Sequence, residues 1–253
     1  MQVLNMTLED FFARHPRTAL GFSGGTDSAY LLYAGLSLGA DVRPYYIKTQ
    51  FQPEFELADA SRLARELGVE LVVIEADILA ADTVAENPPE RCYYCKRTLF
   101  SLLAERAASD GYTELLDGTN ASDDPGDRPG TRALAELGVL SPLRDCGVTK
   151  AEVRRLSREA GLFTHDKPSY ACLATRIPAG RRIEPEALRR TDEAEARLRA
   201  LGYADLRVRL EEGGARLELP EGQLERAVRE RERLLEALGG FGRVSLDLRG
   251  RKV

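Results

Sequence analysis

Apolar residues in the first half of the chain fall into two alternating textures, short runs of strand length and longer stretches with a helical repeat. Residues 18–22, 41–48, 70–75 and 114–117 read as strands, interleaved with helical segments at 27–38, 56–67, 91–109 and 149–160. Gly68 and Gly161 close two of those helices, and Asn87-Pro88-Pro89 breaks the chain ahead of another. Strands alternating with helices predict an α/β fold, a doubly wound and mainly parallel sheet. Residues 121–130, rich in Asp, Pro and Gly, read as a loop, either a solvated connection or a substrate loop, since loops after strand C-termini in open α/β sheets are where ligands bind. Pattern is weak over 166–182, and the texture then changes. A helix at 184–201, a hairpin of 206–210 and 215–219 around Gly213-Gly214, a helix at 221–238 and a strand at 243–248 make a small C-terminal α+β domain. The expected organisation is therefore a first domain of residues 1–175 and a second of 176–253. No internal repeat is visible.

Composition narrows the class. The 253 residues are 43% hydrophobic, ample for a core, and 36 Lys+Arg against 41 Asp+Glu leave a net charge of −5. That balance argues against both a disordered polyanion and a basic nucleic-acid coat. From Gly180 onward there are 17 basic and 15 acidic residues, so the late segment is +2 and the remainder −7. No apolar run reaches the ~18 residues of a membrane span, and the first ten residues lack signal-peptide regions, so a cytoplasmic protein is expected. Four cysteines, Cys92, Cys95, Cys146 and Cys172, in a reducing compartment point to metal, cluster or redox chemistry rather than a disulfide. Only five basic residues are lysine, namely Lys48, Lys96, Lys150, Lys167 and Lys252, which singles them out among 31 arginines.

The most specific local signal is Ser23-Gly24-Gly25-Thr26-Asp27-Ser28, lying between the first strand and the first helix. Glycines there let successive N–H groups turn inward, the helix N-terminus adds partial positive charge, and the serine hydroxyls add donors, which together make an anion cradle. Asp27 can cap the helix or hold a Mg²⁺ that bridges phosphates. No Walker A lysine is present. The pattern resembles the PP-loop, SGGxDS, of the ATP pyrophosphatase superfamily, whose fold is adenine nucleotide alpha-hydrolase-like. That resemblance implies attack of a substrate oxygen on the α-phosphorus of ATP, departure of Mg²⁺-pyrophosphate, and displacement of AMP by a second nucleophile. ATP-contacting candidates are Ser23, Gly24, Gly25, Thr26, Asp27, Ser28, Lys48 and the turn Gly118-Thr119-Asn120.

Cys92 and Cys95 form a CxxC at the start of a helix, where its N–H groups, Arg91 and Lys96 favour thiolate. Cys172 lies in a loop segment with cations on both sides, whereas Cys146 has fewer such neighbours and reads as structural. GFSGGTDSAYL, NPPERCYYCKRTLF, DGTNASDD, SPL, TKAEVR, DKPSYACLATRIPAG and LRVR followed by ARLEL, in that order, resemble successive blocks of the LarE family over nearly the whole chain. LarE proteins are ATP-dependent sulfur transferases of nickel-pincer nucleotide biosynthesis.

The resemblance implies adenylation of a carboxylate of pyridinium-3,5-biscarboxylic acid mononucleotide, then replacement of AMP by sulfur to give a thiocarboxylate. It also implies that Cys172 attacks the acyl-adenylate, and two sulfur sources stay open. Cys172 gives up its own sulfur and becomes dehydroalanine, or Cys92, Cys95 and Cys172 hold a [4Fe–4S] cluster carrying an extra sulfide. By the same resemblance Arg207 and Arg209, assisted by Arg176, grip the substrate phosphate, and Glu195 and Glu218 are placed with a divalent metal. Lys96, Lys150 and Lys167 are implied as phosphate or carboxylate contacts, and a homo-oligomer is implied. Other readings share parts of the pattern. An amide-forming synthetase of the GMP or NAD synthetase kind would survive loss of Cys172. A tRNA thiolation enzyme would present a broad basic surface, and an adenine-nucleotide sensor would bind ATP without cleaving it.

Overall fold

The computed structural model describes residues 6–123, 129–168 and 170–251. The centre of the expected 121–130 loop, Ser169 and Lys252 lie outside the described residues. In chain order the elements are α1 (Leu8–Arg14), β1 (Arg17–Gly21), α2 (Thr26–Ser37), β2 (Asp41–Lys48), α3 (Glu54–Glu66), β3 (Val72–Glu75), α4 (Asp82–Ala85), α5 (Arg91–Ser109), β4 (Leu115–Leu116), α6 (Pro129–Glu136), α7 (Pro142–Asp145), α8 (Lys150–Glu159), α9 (Pro185–Ala200), β5 (Arg207–Glu211), β6 (Gly214–Glu218), α10 (Glu221–Arg229), α11 (Arg231–Ala237) and β7 (Arg243–Leu246). Short 3₁₀ turns stand at Ile78–Ala80 and Leu173–Arg176. No helix among the described residues is long and apolar enough to cross a membrane.

Two compact units result. The first comprises the described parts of Met1–Thr49, Glu54–Ile78 and Glu90–Lys167; the second comprises Gln50–Pro53, Leu79–Pro89 and the described parts of Pro168–Val253.

The sheet of the first unit runs β3-β2-β1-β4, and every pairing in it is parallel. Side chains alternate across it as the two-residue repeat requires. Leu20, Val42, Tyr46 and Leu116 enter one buried cluster with α1, α2 and α8, while Ala19, Tyr45, Val72 and Leu115 enter another with Leu103 and Ala107 of α5 and Leu134 of α6. Both faces are covered, which is why the strands read as nearly continuous apolar runs. The α/β class is as expected, and β2 matches residue for residue. β4 covers Leu115–Leu116 of the 114–117 expected; it pairs with β1 on one edge, and on the other the Leu140 N–H donates to Leu115 O and the Asp117 N–H to Leu140 O.

Helix α8 starts at a reciprocal capping box. Thr149 Oγ1 accepts from the Glu152 N–H at 3.3 Å, and the Glu152 carboxylate accepts from the Thr149 N–H at 2.9 Å. Thr149→Ala is expected to cost about 1 kcal/mol of stability, read by urea denaturation of the full chain.

The sheet of the second unit runs β5-β6-β7, antiparallel between β5 and β6 as the hairpin reading expects, and parallel between β6 and β7. Val208, Ala215 and Leu217 face a core with Ala194 and Leu198 of α9 and Ala227 and Leu234 of α10 and α11. The single helix expected over 221–238 is broken at Glu230, which ends α10 and precedes α11. Glu230 is held there by a tertiary contact, its carboxylate accepting from Tyr203 Oη at 3.0 Å, beside a local bond from Arg226 Nε of α10 at 3.2 Å.

Candidate functional site

In the first unit, the chain leaves β1 and turns through Ser23, Gly24 and Gly25 into α2, whose N-cap is Gly25 with no side-chain cap. The first-turn N–H groups thus receive no acceptor from the N-cap side chain, the state in which a helix N-terminus serves an external anion. Gly24 sits at φ +68°, and a Cβ there would lie 2.9 Å from Ala60 Cβ on α3, so close approach of the turn to α3 and its left-handed backbone both require glycine. Ser23 Oγ and Ser28 Oγ are 3.1 Å apart and brace the turn. Thr26 serves the fold instead, its buried hydroxyl donating to Thr164 O at 2.9 Å.

Gly118-Thr119-Asn120 leaves β4 beside this helix start. A Cβ on Gly118 would stand 2.9 Å from the Ser28 backbone nitrogen. Because that neighbour is main chain, Gly118→Ala must displace one segment from the other. The expected cost is about 1–3 kcal/mol, read by chemical denaturation of the full chain. Asp117, buried, fixes the turn by accepting from Ser141 Oγ at 2.7 Å and from Thr119 Oγ1. Asn120 Nδ2 donates to Asp27 Oδ1 at 3.3 Å, and Lys150 Nζ bonds Asp27 Oδ2 at 2.6 Å.

Lysines expected at the site are accordingly placed in two ways. Lys150 and Lys167 are brought to the glycine turn: the Lys167 ammonium pairs with Asp59 at 2.7 Å and donates to Gly24 O at 3.3 Å. Lys48 ends β2 and pairs with Glu54 at the start of α3 at 2.7 Å, and the Lys96 chain lies along α5 where a Cβ on Gly130 would meet its Cδ at 3.0 Å.

Cys92 and Cys95 are one helical turn apart in the first two turns of α5, Cys92 exposed and Cys95 half-buried. Arg91 Nη2 lies 3.8 Å from Cys92 Sγ. Cys172 belongs to the second unit. Among the described residues, no three His, Cys, Asp or Glu side chains are grouped as a metal centre. Cys146 packs against the sheet core, where burial, then Asp145 and Asp10, push its thiol up to about 11 and keep it protonated.

The second unit holds the remaining expected residues, and part of them surround Tyr170. Cys172 caps the 3₁₀ turn Leu173–Arg176, and the guanidinium groups of Arg176, Arg207 and Arg199 stand 4.8, 5.3 and 5.9 Å from the Tyr170 ring centre. Alternation along β5 puts Val208 and Leu210 into the core and Arg207 and Arg209 on the other face. Burial, then the positive charges of Arg176 and Arg251, lowers the pKa of Arg207 to about 10. At that value the guanidinium still carries its charge near neutral pH, with Asp205 3.5 Å from Nη1.

Glu195 and Glu218, expected beside a metal, serve here as counter-ions. Glu195 is 0% exposed and accepts from Arg176 Nε at 2.7 Å, Arg176 Nη2 at 3.0 Å, Tyr170 Oη at 2.8 Å and the Val208 N–H at 2.9 Å. Burial raises its pKa, but these donors and the Arg176 charge outweigh burial, and the net shift is downward. Glu218 accepts from Arg209 Nε at 2.6 Å and Arg216 Nη2 at 3.2 Å.

Asn87, which in the sequence shows only as part of a chain break, has a structural role. It is buried at φ +56°, and its amide donates to Pro178 O at 2.8 Å and Arg181 O at 3.2 Å, holding the segment that follows the Cys172 turn. An asparagine ahead of two prolines was the available signal, since Asn tolerates left-handed backbone.

No family model matches the chain. It is 37% identical over 250 residues to an uncharacterized protein of Synechocystis sp., spanning 96% of this chain and 92% of that one. It is 34% identical over 239 residues to the pyridinium-3,5-bisthiocarboxylic acid mononucleotide synthase of Lactiplantibacillus plantarum, spanning 92% of this chain and 86% of the synthase. More distantly, it is 26% identical to a tRNA-specific 2-thiouridylase MnmA of Thermotoga sp. over 60% of this chain and 54% of that enzyme. With an uncapped glycine turn at a helix start, and identity of this extent to a named synthase, the chain belongs to the LarE family, that of the pyridinium-3,5-bisthiocarboxylic acid mononucleotide synthase.

Proposed function

We propose that this protein is an ATP-dependent sulfur transferase that adenylates a carboxylate of pyridinium-3,5-biscarboxylic acid mononucleotide, releases pyrophosphate, and replaces AMP with sulfur to form a thiocarboxylate. The observation that carries this reading is the 34% identity to the synthase over 92% of the chain. The glycine turn supports it from the side of the chemistry. Its uncapped N–H groups and the two serine hydroxyls suit the β- and γ-phosphates, whose developing negative charge is what the protein must neutralise.

The donor set suits magnesium, which binds through one or two carboxylates together with phosphate oxygens. Asp27 would hold it, and when bound it would neutralise the departing pyrophosphate. Lys150, now paired with Asp27, and Lys167, at the Gly24 carbonyl, are the cations that reach the turn. Arg207 and Arg209 share a face of β5 and suit the substrate's phosphate, recognition that fits an anionic mononucleotide better than a neutral substrate.

In the reaction so proposed, the substrate carboxylate attacks the α-phosphorus and pyrophosphate leaves. The Cys172 thiolate then attacks the acyl carbon and AMP leaves, forming a thioester. Cleavage of the Cys172 Cβ–Sγ bond releases the thiocarboxylate and leaves dehydroalanine, with the Cα proton lost to base. In the alternative source, Cys92, Cys95 and Cys172 would hold a [4Fe–4S] cluster, and three thiolates leave one iron without a protein ligand. Such a cluster would supply the transferable sulfide.

The test is incubation of the purified protein with Mg·ATP and the biscarboxylic mononucleotide under anaerobic conditions. Pyrophosphate and a thiocarboxylate in matching amounts are expected; release of neither would overturn the proposal. Loss of the mass of H₂S from Cys172 after turnover marks the sacrificial source, and iron that disappears on Cys92→Ala marks the cluster.

A further inference from the structure

Arg176 spends its whole guanidinium on the second unit itself. It is 0% exposed, and its Nε and Nη2 face the two oxygens of Glu195 at 2.7 and 3.0 Å. The remaining nitrogen, Nη1, donates to Ala171 O at 2.9 Å and Thr175 Oγ1 at 2.9 Å, with Cys172 O farther off at 3.5 Å. Thr175 Oγ1 in turn donates to Cys172 O at 2.9 Å. The peptide groups that carry the Cys172 side chain are thus held by one fork of N–H donors and the hydroxyl it touches.

Glu195 closes the arrangement from the other end. Tyr170 Oη donates to the same carboxylate at 2.8 Å, so the segment is tied to one side chain of α9 both before and after Cys172. The Val208 N–H fixes that carboxylate against β5 at 2.9 Å. Two further bonds hold the turn: the Leu173 N–H donates to Phe51 O at 2.9 Å, and Arg209 Nη1 donates to Thr175 O at 2.5 Å.

A buried ion pair adds little net stability compared with apolar residues of the same volume. What the planar fork of arginine adds is direction, because its donors are fixed relative to one another. We propose that Arg176 is a positioning residue whose guanidinium, balanced by Glu195, clamps the backbone around Cys172 and so sets the direction of its thiol. The role is distinct from gripping the substrate phosphate, and it rests on the reading of Cys172 as the thiol of sulfur transfer. A thiol held within a fraction of an ångström of its line of attack forms the acyl–sulfur bond faster than one on a loose turn, since misplacement by about 1 Å can cost about a hundredfold.

Thr175→Val removes only the bridging hydroxyl and Thr175→Ser keeps it, while Arg176→Met combined with Glu195→Leu removes the clamp without leaving a buried charge unpaired. Hydrogen exchange of the full-length protein and steady-state or single-turnover thiocarboxylate formation are measured on each. With Thr175→Val, exchange of the amides at 173–177 is expected to rise about tenfold and the transfer rate constant to fall about tenfold, with KM for ATP moving less than about twofold. Thr175→Ser is expected to restore both. The double variant is expected to show the same pattern more strongly, about a hundredfold in rate, with exchange of 214–218 on β6 unchanged.

Unaltered exchange at 173–177 in the double variant would overturn the clamp, and so would loss of protection spread across the whole second unit, which would make the pair a general support. The two proposals fail separately. A wild-type protein that makes no thiocarboxylate removes the sulfur-transfer reading while the exchange result still decides the clamp; an active wild type with an unaltered turn removes the clamp alone.

Discussion

Cys172→Ala is expected to reduce thiocarboxylate formation at least about a thousandfold, because the residue is the proposed nucleophile and no other group supplies its Sγ. The measurement is mass spectrometry of the mononucleotide product after incubation with Mg·ATP. Both sulfur sources require Cys172, so the expectation is common to them, whereas an ammonia-dependent ligase on the same fold would keep its amide-forming activity. The companion variant separates the sources. Cys92→Ala leaves sulfur transfer intact if Cys172 surrenders its own atom and abolishes it if the CxxC on α5 holds a cluster. Continued thiocarboxylate production by Cys172→Ala would remove the cysteine from the mechanism altogether.

A second large effect concerns stability. Arg176→Met leaves the Glu195 carboxylate wholly buried with its principal cation gone. The expected loss is about 3–5 kcal/mol, the usual result of stranding one partner of a buried pair. Replacing both, as Arg176→Met with Glu195→Leu, is expected to recover most of that loss, since the stranded charge disappears and apolar volume takes its place. Urea denaturation of the two variants beside the wild type checks the difference. A single variant as stable as the wild type would mean that Arg199, 3.6 Å from the carboxylate, together with Tyr170 Oη and the Val208 N–H suffices for it.

The features legible in the sequence are those set by local periodicity and by short-range backbone chemistry. Parallel β1 and β2, the helix that opens at the glycine turn and the α5 helix carrying Cys92 and Cys95 follow from apolar spacing and from Gly24 and Gly25, with bounds within a residue or two. Lys150 and Lys167 were marked by their scarcity, and both do reach the turn. Features decided by tertiary contact were illegible. Nothing in the 221–238 run, free of proline and with glycine only at its second position, announces a break at Glu230, because the break is held by Tyr203 from another element. Helices α1 and α6 are too short for their apolar pattern to stand out beside the longer runs. Glu195 and Arg176 could be singled out as charged residues, but that each is the other's partner depends on α9 and the 3₁₀ turn meeting.

The parallel pairing of β6 with β7 and the bond from the Leu173 N–H to Phe51 O share a kinetic consequence. Phe51 and Leu173 lie nearly half the chain apart, and the second unit also borrows Leu79–Pro89, where Asn87 grips the segment beyond the turn. A fragment beginning at Pro168 would lack these acceptors and donors, so the unit cannot be excised as one continuous piece without losing bonds that fix the Cys172 turn. Loop-closure entropy must be overcome before such distant contacts reward the chain. The turn bearing the proposed sulfur-transfer thiol should therefore be among the last parts of the protein to acquire its native hydrogen bonds, and pulse-labelling exchange during refolding would register its amides after those of β1 and β2.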